Sequence, residues 1–231
     1  ISLAVAAIPE GLPAVVTIVL ALGMRKMAER NAIVKRLLAV ETLGCVDTIC
    51  SDKTGTLTQN EMTVTRLYTP GESYQVSGIG YSFEGDIVQD NTSEPLELSI
   101  DDNMSDNSLK MLLITACLCN EAVVSKNEED ENKIIGDPTE GALIVAAAKA
   151  GLDRNELKSI YPRVADWPFD SDRKMMTSFH SGLADSTIMA LTKGAPDIVL
   201  ARCKYAHING AKKELNDELR AEIVSTNSQM A

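Results

Sequence analysis

The most informative segment of the chain is Ser51-Asp52-Lys53-Thr54-Gly55-Thr56-Leu57-Thr58. It follows the apolar, β-branched residues 46–50, which predict a short strand. A strand that ends in a polar, glycine-containing turn presents catalytic groups at the C-terminal edge of a parallel sheet. In this position the carboxylate of Asp52 can attack phosphorus and form an aspartyl phosphate, while Lys53 and the N–H groups of the turn offset the phosphate charge. Taken alone, Asp-Lys-Thr-Gly also fits an Asx turn, but the length of the run favours the catalytic interpretation.

Upstream of this segment the chain is apolar. Glu10 is the only charged residue among residues 1–22, and Arg25, Lys26 and Arg30 follow. Such a run is long enough to cross a hydrocarbon core, and basic residues directly after it are typical of a cytoplasmic end. We therefore expect a transmembrane helix. Because the chain opens inside this run, we also expect it to be a piece of a longer polypeptide.

The predicted span is interrupted by Pro9-Glu10-Gly11-Leu12-Pro13. Two prolines and a glycine break the helical hydrogen bonds and leave carbonyl groups without partners. Unwound backbone beside an intramembrane carboxylate is how transporters build cation sites. The alternative is a kinked helix whose Glu10 pairs with a neighbour, and we favour the cation site.

Downstream of Asp52 the pattern changes to short strands and helices. Asp137, Pro138 and Glu140 predict the start of a helix with an N-cap, a proline in its first turn and a capping-box acid, and Gly151 predicts its end. Another helix is predicted over 109–119, and an exposed acidic loop over 86–106. Further strands are predicted over 62–68, 73–76, 163–167, 174–180 and 186–192, and helices over 197–203 and 216–224. This order predicts an antiparallel-sheet domain from about residue 62 onwards.

Composition narrows the function classes. The chain has 33 acidic and 22 basic residues and a formal net charge of −11. A nucleic-acid binder needs an excess of Lys and Arg to neutralise phosphates, so we expect no nucleic-acid partner. The five cysteines form no C-x-x-C pair, which argues against a zinc site or a disulfide framework.

Four landmarks together resemble the P-type ATPase family, and in particular its type II calcium-transporting members. The segment 51–58 resembles the family's phosphorylation signature, and Pro9–Pro13 resembles its broken fourth transmembrane helix. Residues 32–44 resemble the linker into the phosphorylation domain, and Lys193-Gly194-Ala195-Pro196 resembles the nucleotide-binding motif. The four occur in the family's order and cover almost the whole chain.

The resemblance implies roles for particular residues. Asp52 would be the phosphorylated nucleophile, assisted by Lys53; Asp52 and the carbonyl of Thr54 would hold Mg²⁺, and Thr56 would contact the phosphoryl group. The transported cation, Ca²⁺, would be bound by the carboxylate of Glu10 and by carbonyls of Val5, Ala6 and Ile8. The ATP pocket would be formed by Glu140, Phe169, Lys174 and Lys193.

Three of the four nucleotide residues also have a plainer interpretation, whereas the Lys-Gly-Ala-Pro turn makes Lys193 the stronger prediction. Glu140 is explained equally well as a capping-box acid, and Lys174 also fits a solvated turn. Phe169 also fits a core residue, but with only three Phe in the chain stacking is favoured. Ser171 departs from the family, because sarcoplasmic-reticulum pumps have an arginine at the matching position, so no polyphosphate contact is expected there.

The resemblance implies an α/β fold in three parts. Residues 1–30 would be a transmembrane helix and stalk, and residues 31–61 half of a Rossmann-like, HAD-type phosphorylation domain. Residues 62–231 would be an α+β nucleotide-binding domain with an antiparallel sheet, incomplete at its C-terminus. The protein would lie in a membrane as a multi-pass pump with both domains in the cytoplasm, and its partners would be lipid and the remainder of the same polypeptide.

The function expected on these grounds is ATP-driven transport of Ca²⁺ through an aspartyl phosphate, as an ATP hydrolase and translocase. We expect this piece alone to bind ATP but not to transport. The alternatives are a pump for Mn²⁺, Na⁺ or H⁺, a soluble HAD-type phosphatase or phosphotransferase, and a nucleotide-binding module without catalysis. The apolar run with Glu10 argues against the soluble enzyme, and the intact Asp52 segment argues against the module.

Overall fold

A computed structural model describes residues 11–100, 107–126, 132–184, 187–208 and 210–231. The chain divides into two units, one ending at Thr58 and the other beginning at Gln59. The fold is α/β, and every strand pair in the described ranges is antiparallel.

The first unit contains two helices, α1 (Leu12–Ala28) and α2 (Ala39–Gly44). Helix α1 has a proline in its first turn, where the missing N–H costs no helical bond, and Arg25 and Lys26 in its last turn. Of the helices in the described part of the chain, none combines the length and the apolarity needed to cross a membrane. Val5, Ala6, Ile8, Pro9 and Glu10, the other half of the predicted span, lie outside the described residues.

The strand predicted over 46–50 is not formed. These residues are exposed, with Ile49 at 89%. A strand is stable only when its backbone pairs with a neighbour and one face is buried. The described residues of the first unit contain no other strand, so the apolar run has no pairing partner there.

The second unit begins with a three-stranded meander, β1 (Arg66–Thr69), β2 (Glu72–Val76) and β3 (Ile87–Gln89). The strand predicted over 62–68 is therefore confirmed only at its end. The segment predicted as an acidic loop over 86–106 contributes β3, because Ile87 is fully buried beside β2.

Helix α3 (Ser108–Leu118) leads into the hairpin β4 (Val123–Lys126) and β5 (Asn132–Ile135), followed by α4 (Pro138–Lys149) and α5 (Arg154–Ile160). The predicted limits of α4 are confirmed: the Asp137 side chain caps its first turn, and Gly151, with φ of 85°, follows its end. Helices α3 and α4 pack together, and the core around them includes Leu113, Cys117 and Leu157.

The largest sheet has the order β6-β7-β8, with β6 (Arg163–Asp170), β7 (Met175–Ala184) and β8 (Thr187–Gly194). Helix α6 (Pro196–Arg202), the hairpin β9 (Tyr205–Ile208) and β10 (Ala211–Glu214), and helix α7 (Asp217–Met230) complete the unit. The predicted strands and helices of this region are confirmed, and α7 runs further than predicted.

Candidate functional site

The β6-β7-β8 sheet positions two of the predicted nucleotide residues. Phe169 lies near the end of β6, and Lys193 lies near the end of β8, directly opposite Met176 of β7. The pairing of β6 with β7 is irregular between Trp167 and Asp170. Pro168 lies in this interval and has no N–H to donate, and an edge strand such as β6 tolerates such an interruption.

Phe169 and Lys193 line a cavity of about 660 Å³. Its wall combines apolar side chains, three carboxylates and one cation: Leu143, Phe169, Met176, Glu121, Asp137, Glu140 and Lys193. A mostly apolar cleft with a few convergent polar groups is typical of small-molecule sites. Phe169 is 65% exposed, which leaves an aromatic surface available for stacking on a flat heterocycle.

Glu140, in the first turn of α4, is fixed by contacts distant in sequence. One carboxylate oxygen lies 2.7 Å from Nζ of Lys193, and the other accepts hydrogen bonds from the N–H groups of Glu121 (3.0 Å) and Ala122 (3.1 Å). Both side chains of the ion pair are largely buried, at 17% and 22% exposure. Glu140 therefore belongs to the cavity wall, and the alternative role of a capping-box acid is wrong because its oxygens bond elsewhere.

The N-cap of α4 is also part of the cavity wall. Asp137 accepts a hydrogen bond of 2.8 Å from the N–H of Thr139. Hydrogen bonding from the Thr139 hydroxyl, and then from its N–H, lowers the pKa of Asp137. A negative charge is stable here because it faces the free N–H groups of the helix N-terminus.

Lys174 is not among the residues that line the cavity. It ends the turn between β6 and β7 with φ of 55°, and its carbonyl accepts a bond from the N–H of Ala195. Asp170 holds this turn by accepting from Arg173 N–H and Asp172 N–H, which lowers its pKa. A Cβ on Gly194 would lie 2.4 Å from the Lys174 carbonyl oxygen, so this approach requires glycine.

The segment 51–58 forms an exposed turn in the first unit. The carbonyl of Lys53 accepts from the N–H groups of Leu57 (3.1 Å) and Thr58 (3.2 Å), and Gly55 has φ of 71°. The Asp52 carboxylate is exposed and accepts a long bond of 3.4 Å from the N–H of Thr54. Thr54 and Thr56 are also exposed.

Of the two predicted cation sites, the structure describes the residues of the Mg²⁺ site but not those of the Ca²⁺ site. Hard cations take oxygen ligands, and the Asp52 carboxylate and Thr54 carbonyl are suitable in kind. The described ranges contain no group of three or more His, Cys, Asp or Glu residues able to hold a metal ion. The predicted Ca²⁺ ligands Glu10, Val5, Ala6 and Ile8 lie outside the described residues.

Sequence reasoning missed several residues of the cavity wall, among them Glu121, Leu143 and Met176. Met176 had a usable signal, because it belongs to the strand predicted over 174–180, which pairs with the strand that carries Lys193. Glu121 had none, because its place depends on the fold of the turn after α3.

Comparison with known proteins identifies the family. The family described as "P-type ATPase, cytoplasmic domain N" matches residues 108–231, which include the whole cavity wall. The chain belongs to the P-type ATPase family. Within this family it is similar to a protein named "Calcium-transporting ATPase" from Bacillus subtilis (strain 168), with 43% identity over 222 residues. That alignment covers 96% of this chain and 24% of the relative.

Two other P-type ATPases have comparable similarity. "Cation-transporting ATPase pma1" of Synechocystis sp. is 44% identical over 207 residues, which are 88% of this chain and 22% of that protein. "Calcium-transporting ATPase type 2C member 1" of Homo sapiens is 42% identical over 223 residues, which are 95% of this chain and 23% of that protein. The chain thus spans about a quarter of the length of these relatives.

Proposed function

We propose that the chain is the nucleotide-binding and phosphoryl-accepting part of a membrane pump that uses ATP to transport Ca²⁺. The observation that carries the proposal is the cavity, in which exposed Phe169 faces the same space as the Lys193–Glu140 pair. The names of relatives over 40% identical, calcium- or cation-transporting ATPases, support the choice of reaction and cargo.

Different residues of the cavity wall would bind the base and the phosphates of ATP. Phe169 stacks on adenine, and Leu143 and Met176 supply apolar contact. Lys193 supplies the cation, and Glu140 keeps that cation in place. We retain Lys174 as an ATP-binding residue, because it ends the turn that follows β6, the strand that carries Phe169.

Asp52 is the phosphoryl acceptor in this proposal. Its carboxylate oxygen forms a bond to the γ-phosphorus of ATP, the bond from phosphorus to the bridging oxygen breaks, and ADP leaves. Water later attacks the phosphorus and returns Asp52 as a carboxylate with inorganic phosphate. Asp52 and the Thr54 carbonyl would hold Mg²⁺, which would supply charge neutralisation, while Lys53 and Thr56 would orient the phosphoryl oxygens.

In this proposal the chain supplies three parts of the pump. Residues 1–30 form a transmembrane helix and its cytoplasmic stalk, and residues 31–61 form half of a HAD-type phosphorylation domain. Residues 62–231 form the nucleotide-binding domain in the cytoplasm. The rest of the polypeptide supplies the remaining transmembrane helices. Lipid and the other segments of the pump are therefore the partners of this part.

Ca²⁺ is the proposed cargo. In this proposal its ligands are the carboxylate of Glu10 and the carbonyls of Val5, Ala6 and Ile8, because Ca²⁺ accepts irregular oxygen coordination more readily than Mg²⁺ does. Mn²⁺, Na⁺ and H⁺ are the competing cargoes, and transport assays with each ion distinguish them.

The test is phosphoenzyme formation from ATP by the full-length pump as Ca²⁺ is titrated. We expect Asp52→Asn to abolish the acid-stable, hydroxylamine-sensitive phosphoenzyme while nucleotide affinity is retained, because the amide keeps the shape but is a far poorer nucleophile. Asp52 is exposed, so the substitution removes no core contact. Labelling that persists in Asp52→Asn would mean that another residue carries the phosphate.

The cargo is tested in the same assay with Glu10→Gln, which removes the charge and keeps the size. We expect labelling to be lost or to require far more Ca²⁺, with nucleotide affinity unchanged. An unchanged Ca²⁺ midpoint excludes Glu10 as a ligand. Labelling that never depends on a cation points instead to a soluble phosphotransferase.

A further inference from the structure

The turn after α3 connects the cavity to two arginines outside it. Glu121, within the 118–122 segment, lines the cavity, and the N–H groups of Glu121 and Ala122 hold one carboxylate oxygen of Glu140. The position of Glu140, and through it the position of Lys193, therefore depends on this segment. No regular structure fixes residues 119–122, so their conformation depends on side-chain contacts.

Arg163, the first residue of β6, binds the segment at three points. Its Nη1 lies 2.5 Å from a carboxylate oxygen of Glu121, and its Nη2 donates to the carbonyls of Leu118 and Asn120, both at 3.2 Å. The carbonyls at the C-terminus of α3 have no helical partner and carry partial negative charge, so a guanidinium is well placed there. Arg163 does not itself line the cavity.

Arg154 and Asn120 complete the hold on the segment. Arg154 is buried and donates to the carbonyls of Ala122 and Asn120. The Asn120 side chain, 1% exposed, donates to the carbonyl of Glu140 at 2.8 Å and accepts from the N–H of Ala122 at 3.0 Å. The arginines thus bind carbonyl groups of the segment, and Glu140 binds two of its N–H groups.

Arg163 also reduces the negative charge of the cavity wall. Glu121 is one of three carboxylates on the cavity wall, and the phosphates of a nucleotide are anionic. Pairing with Arg163 offsets the Glu121 charge and directs its carboxylate toward the guanidinium. Arg163 therefore influences nucleotide affinity in two ways, through the geometry of the 118–122 segment and through the charge of the wall.

We propose that Arg163 is a positioning residue of the nucleotide pocket, which together with Arg154 holds the 118–122 segment so that Glu140 keeps Lys193 in place. The proposal rests on the proposed nucleotide function of the cavity. Neither arginine lines the cavity. Arg163 acts through the Glu121 carboxylate and the carbonyls of Leu118 and Asn120, and Arg154 acts through the carbonyls of Asn120 and Ala122. The planar guanidinium bonds several acceptors at once, which a lysine cannot do with the same fixed geometry.

The test compares three variants of the 231-residue chain: Arg163→Ala, Arg163→Lys and Arg220→Ala. Arg220 is a matched control, because its guanidinium also bonds carbonyls at a helix end, those of Leu200 (2.8 Å) and Cys203 (2.6 Å), none of which lines the cavity. Two quantities are measured on folded protein: ATP affinity by calorimetry, and the acylation rate of Lys193 by acetic anhydride with mass spectrometry. Exposed Lys213 is the internal reference for the acylation rate.

We expect Arg163→Ala to weaken ATP binding about tenfold, as is common for residues that act through a chain of contacts, and to raise the Lys193 acylation rate. Arg163→Lys should lie between Ala and the parent, because it keeps the charge beside Glu121 but loses the simultaneous bonds to both carbonyls. Arg220→Ala should lose stability without a change in either quantity. If Arg163→Ala does not fold, Arg163→Lys against the parent decides the matter.

The inference is overturned if folded Arg163→Ala binds ATP as the parent does and Lys193 reacts at the parent's rate. It is also overturned if Arg220→Ala weakens binding as much as Arg163→Ala does, since the effect would then be general destabilisation. A parent chain that binds no ATP would contradict the proposed function. The acylation rates would still decide whether Arg163 holds Glu140 and Lys193 in place.

Discussion

Phe169 is unusual for a large aromatic residue, because it keeps 65% of its surface exposed at the mouth of an apolar cavity. Its neighbour Trp167 makes an edge contact with Phe179, whereas Phe169 has no ring pair among the described residues. An aromatic ring left open in this way contributes little to the stability of the fold. It gains contact area only when something flat covers it.

This leads to a prediction for Phe169→Ala. Stacking of a base on an aromatic ring contributes about 1–3 kcal/mol, so we expect ATP affinity to fall about tenfold or more while the thermal midpoint changes little. Calorimetry of the 231-residue chain measures the ATP affinity, and thermal unfolding measures the midpoint. Ile188→Ala, which removes another exposed apolar side chain (62%) from the same sheet, is the control. A variant that loses stability but keeps its affinity would make Phe169 a structural residue.

Glu140 shows which part of the site the sequence could not predict. The spacing of Asp137, Pro138 and Glu140 allowed two roles for Glu140, and only the N–H groups of Glu121 and Ala122 distinguish them. These bonds join residues about twenty positions apart, which no local pattern encodes. Phe169 and Lys193 were recognisable from their motifs, and the structure brings them to one cavity with Glu140.

At the scale of elements, β7 carries a buried histidine into the core. His180 is 1% exposed; its Nδ1 lies 2.9 Å from the carbonyl oxygen of Tyr161, and its Nε2 lies 2.9 Å from the Ser178 hydroxyl. A carbonyl only accepts, so Nδ1 carries the proton and Nε2 accepts from Ser178. Burial lowers the pKa of His180, although the Tyr161 bond acts in the opposite direction.

The lowered pKa predicts how the stability of the second unit depends on pH. Above the ordinary value of 6.5 both the folded and unfolded chains hold neutral His180; below it the unfolded chain binds a proton more readily. Stability is therefore full above pH 6.5 and falls as the pH drops toward the folded pKa, by at most about 1.4 kcal/mol per pH unit.

Urea unfolding between pH 7.5 and 5.5 measures this slope. We expect the slope to flatten in His180→Gln, which cannot take up the proton, and to persist in His207→Gln, the other histidine of the chain. Equal slopes in the parent and His180→Gln would show that other groups cause the pH dependence.

The elements that the sequence predicted well are those whose cause is local. Helix α4 begins at its Asp-Pro cap and ends before Gly151, and the three strands of the β6-β7-β8 sheet lie where they were predicted. The strand over 46–50 failed because apolar, β-branched residues require a partner strand, and sequence composition does not supply one. Strand β3 was missed for the opposite reason, since Ile87 is buried by a neighbour that the acidic surroundings did not reveal.

For the whole molecule, the main hydrophobic core belongs to one unit. Its buried residues run from Tyr74 to Leu191, all within the part of the chain that begins at Gln59. No residue of α1 or α2 is buried. This unit begins three residues before the antiparallel-sheet domain predicted from about residue 62.

We therefore predict that residues 59–231 fold without the first unit. The thermal midpoint and the ATP affinity of this shorter chain should match those of the 231-residue chain, the affinity within about twofold, because the core and the cavity wall lie within it. Differential scanning calorimetry with and without ATP is the measurement. The absence of a cooperative transition in residues 59–231 would mean that the first unit is required for folding.

The pairing of Lys193 with Glu140 also affects how quickly a nucleotide arrives. The cavity wall has one cation, Lys193, already paired with Glu140 at 2.7 Å, and two further carboxylates, of which Glu121 is paired with Arg163. The chain has a net charge of −11. Opposite charges normally accelerate encounter, but here the long-range field repels an anion. Counterions screen that repulsion over about 8 Å at physiological ionic strength. Added salt should therefore speed the association of a nucleotide with this cavity, and tight binding has to come from slow dissociation.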